Sequence, residues 1–175
     1  MSEVEKTPAR RGRLALLVAV LAITVSCDRI TKRVAEQRLA ASPPISMLGD
    51  TLRLHYTENA GAFLGLGGRL PERARFWLLT VGTGVLLVLV AGRAVLAPGQ
   101  RPLEVTAWSL VVAGGMSNLW DRLLRDGHVV DFLNVGIGPL RTGIFNVADM
   151  AITLGVVLLV LGPRRRTQPA AAAVP

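Results

Sequence analysis

Apolar residues fall into four long runs, Leu14–Ile30, Phe76–Ala97, Leu103–Leu123 and Ile144–Gly162, with polar residues collected between them. Each run is about as long as a helix that crosses a hydrocarbon core of roughly 30 Å. The first is the shortest and the third the most polar. The segments between the runs have a different rhythm. Leu52–Thr57 alternates apolar and polar with a period of two and predicts a short half-buried strand. Ser42-Pro43-Pro44 predicts a break, and Pro71 suits the first turn of a helix leading into the second run. His128–Asn134 has strand-like residues, Glu58–Phe63 reads as a turn, and Gly65–Gly68 and Gly136–Gly143 read as loops. The pattern predicts an all-α membrane protein of four transmembrane helices with a small extracytoplasmic β element. Residues 1–13 and 164–175 read as disordered polar or Ala/Pro-rich tails around one membrane domain at 14–163.

Composition agrees with this class. The 175 residues are 51% hydrophobic and only 18% charged, against about a quarter charged in soluble domains. The formal net charge of +8 invites a nucleic-acid reading, but its distribution argues for a membrane instead. Arg10, Arg11 and Arg13 precede the first run, and Arg164, Arg165 and Arg166 follow the last. Basic clusters flanking apolar spans mark the cytoplasmic side, so both termini are expected there, as an even number of spans requires. The segment Thr31–Arg75 also carries basic residues and would lie outside, so the rule is not clean. Cys27 is the single cysteine and excludes an intrachain disulfide. The stretch ending at Ser26-Cys27 resembles a cleaved lipoprotein signal. Thr24 stands where such a signal has Leu, however, and three more runs follow, so a retained first helix is the expectation.

Polar residues inside the runs carry the functional information. A charged side chain in a span costs at least about 2.5–3.5 kcal/mol on insertion scales, which makes each one a functional suspect. With the termini inside, Asp28 and Lys32, then Asn118, Asp121 and Arg122, then Asn146 and Asp149, all fall at outer ends. The loop residues Asn59 and Asp131 belong to the same side. Asp28 and Lys32 are spaced i,i+4, as are Asn118 and Arg122, while Asn146 and Asp149 are i,i+3; each pair shares a helix face. Lys32, Arg29 and Arg33 could equally snorkel to headgroups. Asp149 is too short to do so.

The chemistry open to such a layer is limited. His55 and His128 lie outside the runs, and no cluster of zinc-site spacing exists, so metal hydrolysis is disfavoured. A serine nucleophile, Ser26 or Ser117, would need Lys32 as base, and Cys27 lacks a histidine partner. Two carboxylates sharing a proton can act together as acid and base, with Asp131 and Asp149 as the candidates. A transporter would extend its polar groups along a path, yet Val85–Val90 and Val156–Leu161 are uniformly apolar. A presenilin-like protease would carry Gly-x-Gly-Asp, whereas Gly136-Ile137-Gly138 precedes Pro139.

Five ordered segments resemble the lipoprotein signal peptidase (signal peptidase II) family of bacterial membrane aspartic peptidases. They are Asp28–Lys32, Asn59–Phe63, Gly114–Arg122, Val129–Phe132 and Phe145–Ile152. Phe63 and Ser117 depart from the family pattern at positions where a smaller residue is usual, and both departures are expected to affect substrate packing. The resemblance implies a four-helix peptidase domain whose catalytic dyad is Asp131 and Asp149. It implies substrate-binding roles for Asn59, Gly61, Gly114, Asn118, Arg122 and Asn146, and supporting roles for Asp28 and Lys32. The implied substrate is a prolipoprotein whose Cys already carries diacylglycerol, cut just before that Cys. The implied partners also include membrane lipid and, as inhibitor, the cyclic peptide globomycin, and the resemblance implies no metal or organic cofactor. The implied place is the bacterial inner membrane, with the active site toward the extracytoplasmic face.

Overall fold

The computed structural model describes residues 3–61 and 70–162. The expectations for Ala62, Phe63, Gly65–Gly68 and Arg164–Arg166 lie outside the described residues.

Helix α1 runs from Glu3 to Leu39, through the first apolar run and on through Asp28–Arg33 until Ser42-Pro43-Pro44 ends it. It begins at Glu3 rather than at the apolar boundary, which corrects the expectation of a disordered stretch to residue 13; Glu, Lys, Ala and Arg, which dominate residues 3–13, are good helix formers. Strand β1, Ile45–Met47, and strand β2, Leu52–Asn59, form a hairpin. Pro71 stands immediately before α2, Glu72–Arg75. A π-helical segment, Phe76–Gly82, joins α2 to α3, Thr83–Leu96. Helix α4 spans Pro102–Leu124 with Pro at its first position.

Strand β3, Val129–Ile137, pairs with β2, and β4, Leu140–Arg141, pairs with β3, giving one antiparallel sheet in the order β1-β2-β3-β4. The predicted loop at Gly136–Gly143 is thus partly the tip and return strand of a hairpin, turned at Gly138 with φ of 55°. Helix α5 spans Val147–Leu161. It starts three residues later than the apolar run because Asn146 is its cap.

Two helical stretches, Arg10–Leu39 and Glu72–Leu96, are long and apolar enough to cross a bilayer, with mean hydropathies of 1.9 and 2.0. The 15 residues of α5 cover about 22 Å at 1.5 Å per residue. Helix α4 packs against α1, α3 and α5, which explains its sequence. Ala107, Ala113, Gly114, Gly115, Ser109 and Ser117 are buried along it, and small residues let neighbouring backbones approach. A Cβ on Gly114 would lie 2.3 Å from the Ala148 carbonyl oxygen of α5, and one on Gly155 would lie 2.6 Å from that of Ala107. Large apolar side chains such as Ile23, Val88, Leu89 and Val160 point outward instead. This is the reverse of a soluble bundle and the arrangement expected in lipid.

The sheet sits at the end of the bundle where α1 emerges. Ala35 and Leu39 of α1 pack with Phe132, and Leu54, Tyr56, Leu133 and Val147 close around them. Gly127, at φ 85°, turns the chain sharply from α4 into β3, its N–H bonding the Arg122 carbonyl at 2.9 Å. That short turn brings Asp131 back over the start of α5.

Candidate active site

Asn146 places the two candidate aspartates next to each other. It caps α5 reciprocally: its side-chain oxygen accepts from the Asp149 backbone N–H at 2.9 Å, and its own N–H donates to Asp149 Oδ2 at 3.2 Å. The spacing read as two residues on one helix face is therefore a cap and its third helical residue. The Asn146 amide nitrogen also donates to Asp131 Oδ1 at 2.7 Å, the shortest of three acceptors around it. The others are Asn118 Oδ1 at 3.0 Å and the Val130 carbonyl at 3.2 Å. One residue thus touches both carboxyl groups.

Two further asparagines complete the ring. Asn59, at the end of β2, donates to Asp131 Oδ2 at 3.0 Å, while its own oxygen accepts from the Gly61 N–H at 2.9 Å. Asn118, on α4, donates to Asp149 Oδ1 at 2.8 Å. Each carboxylate therefore receives two N–H donors, and none of these donors is charged. Asp131 lies on β3, 2% exposed, and burial pushes its pKa up to about 6. The neighbouring Asp149 charge pushes the same way, and the bonds from Asn59 and Asn146 pull against both. A carboxyl poised there can give or take a proton near neutral pH.

Both aspartates open onto a cavity of about 1040 Å³. Asn59, Gly61, Asn118 and Arg122 line it with them, together with Val129, Ile144, Ile152, Leu154 and Val157. The wall is mostly apolar, and Thr83, Arg141, Thr142 and Thr153 add further polar groups to it, the mix expected of a pocket for a largely apolar ligand. The buried Nε of Arg122 has no hydrogen-bond partner among the described residues. Two expected binding residues are not in this wall. Asn146 is fully buried behind the dyad, and Gly114 is sealed in the α4–α5 contact while its neighbour Gly115 reaches the cavity.

Behind the asparagines lies a second polar layer. Lys32 is 2% exposed and donates to Asp28 Oδ2 at 2.7 Å, Asp121 Oδ2 at 2.9 Å and Asn118 Oδ1 at 3.0 Å. It does not snorkel. Asp28 also accepts from Ser117 Oγ at 2.6 Å and from the Ala148 backbone N–H at 2.9 Å, so it holds the start of α5. Asp121 accepts from Arg29 and from the Val130 N–H at 3.3 Å. Two cations and two anions balance here, which is what buried charges need.

The geometry bears on the other nucleophile readings. Ser117 Oγ donates to Asp28 at 2.6 Å, and the Lys32 ammonium donates to Asp28, Asp121 and Asn118, with no Ser117–Lys32 hydrogen bond among the described residues. Cys27 is exposed and does not line the cavity. Ser117 belongs to the buried charge layer, which corrects the expectation that its departure concerns substrate packing. Asp121 and Arg29 carry that layer too, and neither was given a site role from the sequence. The signal was present, since Asp121 lies one helical turn from Asn118, but only the fold supplies Lys32 as the shared partner.

Apolar outer faces around a buried polar centre, with paired carboxyls at an apolar cavity, are what a membrane-embedded hydrolase of the aspartic class requires. The family model described as signal peptidase (SPase) II matches residues 20–163. The lipoprotein signal peptidase of Mycobacterium tuberculosis (strain ATCC 25618 / H37Rv) is 37% identical over 161 residues, covering 88% of this chain and 72% of that protein. The lipoprotein signal peptidase of Leifsonia xyli subsp. xyli is 35% identical over 166 residues, covering 89% and 70%. A solved structure of a bacterial membrane enzyme superposes with a TM-score of 0.72 at 25% identity, covering 83% of this chain and 85% of that one. The chain belongs to the signal peptidase II family.

Proposed function

We propose that this chain removes signal peptides from diacylglyceryl-modified prolipoproteins, cutting before the lipidated Cys, with Asp131 and Asp149 as its catalytic dyad. The observation that carries the proposal is the bridging of both carboxyls by Asn146 beside a large apolar cavity. The dyad activates water: the ionised carboxyl takes its proton, and the protonated one gives a proton to the leaving amine. Asn59, Gly61, Asn118 and Arg122 line the cavity and serve to position the peptide, Arg122 offering a charge-assisted donor to a carbonyl or a developing oxyanion. The apolar wall takes the acyl chains, each buried methylene contributing about 0.8 kcal/mol. Asn146, Asp28 and Lys32 act from behind the site.

In the proposed topology the chain crosses the bacterial inner membrane four times, with the tails 1–13 and 164–175 in the cytoplasm and the dyad toward the extracytoplasmic face. Helix α5 is short for a full crossing, but the sheet and the Asn146 cap at its outer end let it begin below the surface. Globomycin, a cyclic peptide, is proposed to occupy the same cavity. The test is cleavage of a lipidated prolipoprotein by purified enzyme. Asp131→Asn and Asp149→Asn keep shape and hydrogen bonding but remove the titrating proton. Each should lower turnover by about 10²-fold or more, and the double variant should be little worse than either. A normal rate for Asp149→Asn refutes the aspartic mechanism.

A further inference from the structure

The Asn118 amide has two ends in different electrostatic surroundings, and its orientation decides what Asp149 meets. Its oxygen lies 3.0 Å from Lys32 Nζ and its nitrogen 2.8 Å from Asp149 Oδ1. A flipped amide would point N–H groups at an ammonium and an oxygen at a carboxyl oxygen, two repulsive contacts in place of two attractive ones. The Lys32 ammonium has three protons and three acceptors, Asp28, Asp121 and Asn118, so it is fixed in direction as well as in charge. A cation on the amide oxygen also polarises the amide and strengthens its N–H as a donor, since chained hydrogen bonds reinforce one another in low dielectric.

We propose that Lys32 is a positioning residue for the proteolytic reaction, acting on Asp149 through the Asn118 amide rather than only holding the helices together. The inference rests on the dyad reading above. Asp28 and Asp121 hold the ammonium in place, and their charges cancel those of Lys32 and Arg29, so the cluster orients the dyad without adding net charge beside it. Lys32 touches neither the cavity nor the aspartates of the dyad, and its effect falls on the chemical step rather than on substrate affinity.

Removing Lys32 alone leaves two buried anions with one cation, and the protein then unfolds for reasons unrelated to catalysis. The paired change Lys32→Met with Asp28→Asn keeps the balance. The amide introduced at position 28 still offers an oxygen to the Ala148 N–H, and Asp121 keeps Arg29 and the Val130 N–H. In metal sites, outer partners that orient a reactive ligand are worth roughly 10–100-fold in activity. The paired variant should lose at least about tenfold in kcat with KM within about twofold of wild type. Unchanged kcat in a folded paired variant overturns the proposal, provided Asp149→Asn is inactive in the same assay. If Asp149→Asn is active, the dyad reading itself has failed.

Should the paired variant not accumulate, Asn118→Asp decides. The new carboxyl keeps one oxygen on Lys32 and turns the other toward Asp149. The charged groups around it are Lys32 and Asp28 from α1, Asp121 and Arg122 of α4, Asp131 from β3 and Asp149 from α5. At low pH a proton on residue 118 restores a donor toward Asp149; at high pH two carboxylates face each other. The ratio of variant to wild-type kcat should therefore rise at least about tenfold as pH falls through the titration of the new pair. A deficit that does not change with pH means that residue 118 only fills space, and overturns the proposal.

Discussion

Gly114→Ala adds a single methyl group, and the structure says where it goes. The new carbon would stand 2.3 Å from the Ala148 carbonyl oxygen and 2.7 Å from Ile152 Cγ1. Ordinary contact needs about 3.4 Å, so α4 and α5 must part by about 1 Å. A carbonyl inside a helix cannot rotate away, so the whole start of α5 moves. That start holds Ala148, bonded to Asp28 at 2.9 Å, and Asp149, bonded to Asn118 at 2.8 Å. Overpacking of this kind costs about 1–3 kcal/mol, and displacing a catalytic group by about 1 Å can cost roughly 10²-fold in rate. The expected result is a lower Tm and a fall in kcat of about that size, with KM little changed. Gly115→Ala is the control. Its Cβ meets Leu87 Cδ2 at 2.4 Å, an equally short approach, but to the end of a side chain that can change rotamer. Its effect on kcat should be far smaller. A Gly114→Ala enzyme with normal kcat and Tm but raised KM refutes the reasoning and returns Gly114 to the substrate-binding set.

The pH dependence follows from Asp131. Its pKa, about 6 against an unperturbed 3.8, lies above the unfolded value, so the folded state holds a proton that the unfolded chain releases. Its contribution to stability is full below about pH 4 and is lost as pH rises to about 6, visible as a falling denaturation midpoint. The pH–rate profile should show a limb near 6, and Asn59→Ala, which removes a donor that favours the ionised form, should move that limb to higher pH. An enzymatic reporter active only outside the cytoplasmic membrane should work when inserted at Gly138 and fail when fused after Pro175; the reverse pattern refutes the proposed orientation. An unlipidated precursor should be cut far more slowly than the lipidated one, because it forgoes apolar burial of about 0.8 kcal/mol per methylene. Equal rates would indicate a signal peptidase that does not read the lipid.

Helices and strands were legible in the sequence where burial is simple. The apolar runs located α4 to within a residue at each end and the continuous helical stretch made by the π-helical segment and α3, whereas α1 extends about ten residues beyond its run in both directions. The alternation at Leu52–Thr57 located β2, because a half-buried sheet imposes one period. The start of α5 was misplaced by three residues, since Ile144 and Phe145 are as apolar as the helix itself. What stops the helix there is the Asn146 cap, and hydropathy does not register a cap. The proximity of Asp131 and Asp149, both bonded to Asn146, was legible because a carboxyl near a span is costly and these two have few alternatives. The division of labour among the supporting residues was not. Gly114, Ser117 and Asn146 lie on different faces of the same small region. Only packing decides that Gly115 reaches the cavity while Gly114 meets Ala148, or that Asn146 stands behind the aspartates rather than before them. Asp121 was placed in the polar layer but given no role, because its partners, Arg29 and Lys32, are some ninety residues away in sequence.

The choice of asparagine for the layer between the two charged groups has its own physical reason. The dyad proposed above needs one carboxyl ionised while the other holds a proton, so the groups touching it must donate hydrogen bonds without fixing its charge. A lysine or arginine in place of Asn118 or Asn146 would hold both aspartates ionised and leave no acid. A third carboxylate there would favour protonation of both and leave no base. An amide adds no charge, donates at one end and accepts at the other, and so passes on direction without passing on charge. The fixed charges Lys32, Asp28, Asp121 and the half-buried Arg29 can then be strong and mutually neutral one layer back. They set the direction of the Asn118 amide and the position of the Ala148 N–H while leaving the proton of the dyad free to move. Variants of the charge layer should therefore act mainly through stability and kcat, while loss of Lys32, whose charge favours the ionised form of Asp131, should also raise the limb near 6. Variants of the asparagines should move the limb itself.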